Sequence, residues 1–337
     1  MLADTDDHLE FLAHVAHLYY KCSLTQAEIA RQIGVSRSSV SRMLTEATDR
    51  GVVEIRINYP AHRDNGLEAR LQERFRLSAA YVLRSSHIPL EQRLQRIARL
   101  AVAHLEHRLR PDLIFGLSWG TSVYETVTLL RRRTLPGARV VQFIGAIGRG
   151  NRLIDGPELA RYVATTLGAE YHYLHAPLVV ATAAACRSLL AERTVAETLE
   201  LARQSDLALV GIGSTSPSVS SLIRAGYLTE AGLQAIESEG AVGDICARHF
   251  DIRGQILDID INRRIVGISP DDLRAIPEVI GVAGGPLKAP AILGALRGEL
   301  VDTLVTDDVT VRELLRLDAE AGQTGPRSPE PDRERTA

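Results

Sequence analysis

The chain has 337 residues, 45% of them hydrophobic and 24% charged, with a formal net charge of −3. Its length favours two domains and its composition supports a packed core. The charge gives no general attraction for nucleic acid, so a DNA-binding surface must come from local arrangement.

The start, Met1 to Glu10, carries Asp4, Asp6 and Asp7 and no lysine or arginine, which argues against a signal peptide. No apolar run reaches the length of a membrane span. Cys22, Cys186 and Cys246 lack metal-ligand or disulfide-framework spacing and read as reduced, mostly buried thiols. A soluble, cytoplasmic protein without a membrane partner is expected.

Residues 1–58 read as a helical unit ending in an alternating run, Val52 to Ile57. Within it, Thr25 and Glu28 have the spacing of a capping box, in which each side chain satisfies the other's exposed backbone donor. The helix they open carries Ile29, Ala30 and Ile33 and stops at Gly34, a residue able to take the left-handed conformation of a sharp turn. Val35 plugs that turn and Ser36 caps a second helix, with Val40, Met43 and Leu44 facing inward. Arg37, Ser38, Ser41 and Arg42 then project outward as a short, polar, basic face suited to the major groove. Together with Ser36, and with Arg31 as a phosphate contact, they are the expected DNA-binding residues. The run after Gly51 has the pattern of a wing. The bland alternative is a helical hairpin with a solvated basic face.

Residues 59–66 are rich in turn formers and read as a linker. From Leu67 the pattern changes. Leu67, Leu71 and Phe75 share one helical face, and Leu94, Ile97, Ala101 and Leu105 share another over about Leu90 to Leu109. Packing on a sheet is the simpler role for both, with a dimer contact as the alternative. Apolar strands then lead repeatedly into glycine-rich turns, Asp112 to Gly116, Arg139 to Ile144, Asp206 to Ile212 and Pro277 to Val282, and a last strand, Leu300 to Val305, leads into Thr306 to Asp308 and a helix. Such strands between helices indicate an α/β fold with a doubly wound, mostly parallel sheet, which binds ligands beyond the carboxyl ends of its strands. Residues 67–317 form this second domain. The polar stretch 318–337 lacks hydrophobic periodicity and is expected to be disordered.

At the strand ends, Ser118, Gly120, Thr121 and Ser122 offer hydroxyls and backbone donors ahead of a helix, the chemistry of a phosphate cradle. A merely structural turn gives the same pattern. The loop lacks the Walker lysine and the Rossmann glycine spacing, so neither ATP nor NAD is indicated, and no cofactor or metal is expected. Lys288, one of only two lysines, would add a point charge, and Asp244 would accept bonds from hydroxyls of a ligand. Gly145, Arg149, Gly213 and Ser214 complete the candidate rim. The role of Asp155 to Glu158 is open. Nothing in the sequence marks Lys288 as having a lowered pKa, so noncovalent binding is expected.

These motifs, in this order over residues 8–317, resemble the SorC family of bacterial transcriptional regulators. The carriers are Leu24 to Arg31, Val35 to Arg42, Gly116 to Val123, Gly240 to Ile245, Val282 to Ala289 and Leu304 to Asp308. The resemblance implies a winged helix-turn-helix joined to a sensor domain similar to sugar-phosphate isomerases and deaminases. It implies a regulator of carbohydrate metabolism whose operator binding responds to a phosphorylated sugar, working as a homodimer or homotetramer. An isomerase-like or deaminase-like enzyme would need a poised base. Asp244, Asp307 and Asp308 are candidates, but His104, His107, His172, His175 and His249 read as surface or partly buried, and no catalytic set forms. The chain is therefore expected not to be an enzyme. A regulator controlled by a partner protein is the remaining alternative and would show an apolar patch instead of a polar cleft.

Overall fold

The structure is a computed structural model that describes residues 3–53, 62–148 and 154–323. The chain divides into two compact units, Met1–Pro60 and Ala61–Ala337.

The first unit holds α1 (Ala3–Tyr20), α2 (Gln26–Ile33) and α3 (Arg37–Asp49). Leu12, Val15, Ile29, Val40, Leu44 and Ala47 close its core. The expected capping box is formed: the Thr25 N–H donates to Glu28 Oε2 at 2.8 Å and the Glu28 N–H to Thr25 Oγ1 at 3.3 Å. Gly34 ends α2 at a φ of 73°, where any side chain would be strained. The Val35 N–H bonds the Ala30 carbonyl at 3.0 Å, and Ser36 caps α3 by accepting from the Ser39 N–H. The wing expected over Val52 to Ile57 falls mostly outside the described residues.

The second unit begins with α4 (Asn65–Phe75), β1 (Ala79–Leu83), α5 (Leu90–Arg108), β2 (Ile114–Leu117), α6 (Thr121–Val127) and β3 (Arg139–Gln142). It continues through α7 (Gly156–Leu167), β4 (Glu170–His172), α8 (Ala183–Ala191), α9 (Arg193–Arg203), β5 (Leu207–Ser214), α10 (Ser221–Arg224) and α11 (Glu230–Ser238). The hairpin β6 (Ala241–Ile245) and β7 (Arg248–Asp251) follows, then α12 (Asp260–Arg263), α13 (Pro270–Arg274), β8 (Val279–Val282), α14 (Ala289–Arg297), β9 (Thr303–Asp307) and α15 (Asp308–Gln323).

Seven strands pair in parallel in the order β1-β9-β8-β5-β2-β3-β4. Successive residues of β5 feed opposite cores: Leu207 and Leu209 join the side covered by α5, α6 and α7, while Ala208, Val210 and Ile212 join the side covered by α4, α14 and α15. This two-sided burial explains why the central strands read as continuous apolar runs. β5 is long enough to do two jobs. Ala208–Gly211 sit in the parallel sheet beside β8, and Ile212–Ser214 run on to pair antiparallel with β6.

Several expectations need correction. The end strands β1 and β4 and the hairpin β6–β7 are absent from the sequence reading, and Gly240 to Ile245 is largely strand. Residues 62–64 do not behave as linker, because the Asp64 N–H bonds the Val82 carbonyl and Arg63 bridges Leu83, covering the free edge of β1. The tail does not begin at Asp318. α15 runs to Gln323, and buried Asp318 receives Arg74 Nε and an Arg297 guanidinium nitrogen at 2.6 Å each. Residues 324–337 lie outside the described residues.

Candidate functional site

On the first unit, Arg31, Ser36, Arg37, Ser38, Ser41 and Arg42 are all exposed. Val40 and Leu44 turn inward on α3 and Met43 is half-buried, so Arg37, Ser38, Ser41 and Arg42 are left outward as the sequence spacing requires. Ser36 is less available than its neighbours, since its hydroxyl already contacts the Ser38 and Ser39 hydroxyls at 2.8 Å each. Arg42 leans back toward Ser39 Oγ at 3.5 Å.

In the second unit the carboxyl ends of β2, β5 and β8 open on a cleft of two connected compartments. One of about 430 Å³ is lined by Ser118 to Ser122, Gly211 to Gly213, Ser221, Arg224, Asp244, Cys246, Ala247 and Lys288. The other, of about 640 Å³, shares Thr121, Ser122, Arg224 and Lys288 and adds Arg93, Leu94, Ile97, Val219, Gly284 and Gly285.

The neck between the compartments is built at the start of α6. Gly120, its cap, has a φ of 118° and supplies no side-chain hydrogen bond, so the first-turn N–H groups of Thr121 and Ser122 lack the partner that a capping side chain would give. Positive helix potential adds to these donors. Ser118 staples the floor: its N–H bonds the Leu209 carbonyl at 3.1 Å, and its hydroxyl accepts from the Gly211 N–H at 3.3 Å.

Lys288 ends a 3-10 turn, Pro286–Lys288, and its Nζ donates to the Ile212 carbonyl at 2.7 Å. Burial pushes its pKa from 10.5 down to about 8, with Asp244 opposing and Arg224 adding to the shift. The ammonium thus has a lowered pKa that nothing in the sequence marked. Ser214 does not line the cleft. Its hydroxyl donates to the Leu287 carbonyl at 3.1 Å and anchors the lysine's turn from behind.

Asp244 sits on β6 directly across from Gly213, and a Cβ at Gly213 would lie 1.9 Å from its Oδ1. Only glycine lets that carboxylate lie flat over β5. Burial raises the Asp244 pKa, opposed by His249, Lys288 and the Ala247 N–H. His249, across the hairpin, is buried rather than superficial; burial lowers its pKa against the pull of Asp244 and Asn262. His104 is also buried, between Tyr81 and Glu278.

Gly145 is not brought to the cleft. Its N–H bonds the Val266 carbonyl at 2.9 Å, and a Cβ there would meet the Pro177 carbonyl oxygen at 2.4 Å, so it serves a close backbone approach. Arg149 lies outside the described residues. Asp155 acquires a role: it caps α7 and its carboxylate accepts from the Ile147 and Gly148 N–H groups at 2.9 and 3.0 Å. Sequence reasoning missed Arg93, Arg224, Trp119 and Ser221. Neither arginine belongs to a local motif; α5 and α10 carry them to the cleft across long stretches of chain.

Among the described residues, no group of three or more His, Cys, Asp or Glu is placed to hold a metal, and no helix is long and apolar enough to cross a membrane. Asp307 and Asp308 carry structural bonds. Asp307 accepts from the Gly285 N–H and from both the N–H and hydroxyl of Thr310, and Asp308 from the N–H and hydroxyl of Ser85.

Two family models match the chain: a "Putative sugar-binding domain" over residues 59–316 and a Crp-like helix-turn-helix domain over residues 9–62. The sorbitol operon regulator of Klebsiella pneumoniae is 30% identical over 317 residues, covering 93% of this chain and all of that protein. The full-length crystal structure of that regulator, SorC, superposes with a TM-score of 0.69 over 92% of this chain and 99% of that one. The chain belongs to the SorC family. The deoxyribonucleoside regulator of Bacillus subtilis is 32% identical over 300 residues, 89% of this chain and 95% of that protein. Within the SorC family, then, this chain is a transcriptional regulator that joins a DNA-binding helix-turn-helix to a sugar-binding domain.

Proposed function

We propose that this SorC-family regulator binds a two-fold operator in double-stranded DNA through Arg31, Arg37, Ser38, Ser41 and Arg42, with Ser36 presenting the helix, and that a phosphorylated sugar controls that binding. The units of action are residues 1–58 for DNA and residues 67–317, prolonged by α15, for effector and assembly. The observation that carries the effector class is the neck of the cleft, where the first turn of α6 meets Lys288 and Arg224. A phosphate dianion placed there would receive hydroxyl and backbone donors from Thr121 and Ser122 and two cationic side chains. Asp244, on the wall of the same compartment, is a fitting acceptor for the hydroxyls of the sugar.

The reading is of a sensor, not an enzyme. Asp307 and Asp308 are committed to backbone and hydroxyl donors, so neither is free to serve the cleft as a general base. An effector changes operator binding only through the difference in its affinity for the two states of the protein.

Thermal melting against a panel of phosphorylated sugars and their free counterparts tests this. A ligand that binds only the folded protein raises the melting temperature. Stabilisation by a phosphosugar and not by its free sugar, lost in Thr121→Val, supports the reading. Stabilisation by free sugars alone, or by none of the panel, refutes the phosphate site and turns the search to neutral ligands or a protein partner.

A further inference from the structure

With a phosphate at the neck and sugar hydroxyls on Asp244, one compartment of the cleft is left without a task. What that compartment alone contributes is Arg93, Leu94, Ile97, Val219, Gly284 and Gly285, a set without a hydroxyl, carboxylate or side-chain amide. The other compartment has Ser118, Ser221 and Asp244. Backbone groups do not make up the difference. The Gly285 N–H already donates to Asp307 Oδ2 at 2.9 Å and to Thr310 Oγ1 at 2.8 Å, and the Gly285 carbonyl accepts from the Lys288 N–H at 2.9 Å. The Arg93 Nε–H is bound to the Ile88 carbonyl at 3.0 Å.

The wall is built by close packing of aliphatic groups. A Cβ at Gly284 would lie 2.3 Å from Ile97 Cδ1, so the buried Ile97 side chain is laid against the glycine pair. Gly285 has a φ of 99°, and a Cβ there would meet nothing within 4 Å, which leaves its face bare. Leu94 stands three positions before Ile97 on α5, on the same side of the helix. Hydroxyls of a sugar set against this wall would lose water and find no partner, whereas an apolar group gains by the same burial. Between the two compartments, Arg224 and Lys288 repel one another, and Arg224 helps to lower the lysine's pKa. An anion at the neck relieves both.

We infer that this compartment is a subsite for an apolar group esterified to the effector's phosphate. The complete ligand is then a phosphodiester, with its sugar against Asp244 and its apolar substituent against Leu94, Ile97 and Val219. This rests on the phosphate reading of the neck and follows from the order of the parts. A phosphate held between a polar and an apolar compartment has room for one ester oxygen toward each. Thr121, Ser122, Arg224 and Lys288 line both compartments, which is where a group bonded on both sides has to be held. A terminal phosphate would leave the apolar wall facing water.

The test titrates the full chain with inorganic phosphate, methyl phosphate and phenyl phosphate while thermal melting is followed. Phenyl phosphate should reach half its effect at a concentration at least about tenfold below that of the other two, because only it carries apolar area for the wall. Leu94→Gln changes a half-buried residue of α5 and should abolish that preference while leaving the response to inorganic phosphate unchanged. Val219→Asn, half-buried on the loop after β5, should do the same from the opposite wall, so that a folding defect in one variant does not decide the outcome. Equal potency of the probes, or a phenyl preference that survives in both folded variants, overturns the subsite and leaves the phosphate neck standing. No response to any of the probes overturns the neck and the subsite together.

Discussion

Replacing Lys288 with methionine separates the cost of a buried ammonium from its use. The folded protein holds this group at a pKa of about 8 against 10.5 for the ordinary side chain. The unfolded chain therefore binds the proton more tightly, and stability rises with pH between those two values. Below the folded pKa the full penalty applies, about 3 kcal/mol for a shift of this size. Moving from about pH 7 to about pH 9.5 should recover about 2 kcal/mol of it in the parent protein. Lys288→Met removes that dependence. It also strips the Ile212 carbonyl of its donor, a loss of about 1 kcal/mol, so at neutral pH the variant should be more stable by about 1–2 kcal/mol. Urea unfolding at both pH values measures each quantity, and phosphosugar-dependent melting measures what the charge is for. The variant should gain stability and lose the ligand response. If parent and variant stabilities change with pH in parallel, the ammonium is not held out of water and the reasoning fails.

Arg37→Ala and Arg42→Ala should each weaken operator binding by about tenfold or more while leaving phosphosugar-induced melting shifts intact; loss of both responses would contradict separate units. Gly213→Ala forces the Asp244 carboxylate out of the space it occupies. A cost of about 1–3 kcal/mol in unfolding experiments is expected, with effector affinity reduced at least about tenfold; unchanged affinity would remove Asp244 from the site. Asp318→Asn tests the end of α15. Burial acts to raise the Asp318 carboxyl, yet the hydrogen bonds from Arg74 and Arg297 outweigh it and hold the pKa below its ordinary value. Its contribution is therefore present above the usual carboxylate range and lost as pH falls through the lowered pKa. With Arg74 largely exposed, the variant should cost about 1–2 kcal/mol near neutral pH, and the gap should close in acid. A gap that persists or widens in acid would mean that charge is not what holds the helix end.

What could be read from the chain was what neighbouring residues decide among themselves. Thr25 and Glu28 are three apart, Gly34 follows the helix that they open, and Ser36 caps the next; all the geometry of that turn is local. Ser118 to Ser122 could be placed at a strand end for the same reason. The rest depends on partners far along the chain. β1 and β4 owe their existence to β9 and β3, and nothing within three or five residues announces a strand. Asp318 looked like the start of a polar tail because Arg74, 244 positions away, is invisible to any local pattern. Arg224 and Arg93 carried no motif, and Gly145 resembled the cleft glycines although its neighbour is the Pro177 backbone. The Lys288 pKa reflects how deeply β5 and β6 enclose its ammonium, a property of packing alone.

The adjacent acids Asp307 and Asp308 split their attention between two places. One clips the Gly285 N–H on the rim of the cleft, and the other clips Ser85, whose neighbour Arg84 is bonded to His62 in the segment covering the β1 edge. The two clips share one peptide bond, and Ser85 lies one residue from the Arg84 N–H that bonds the His62 carbonyl. Two consecutive side chains thus hold the rim of the cleft and the covered β1 edge to one strand end, and Asp308→Asn would loosen the second hold while leaving the first in place.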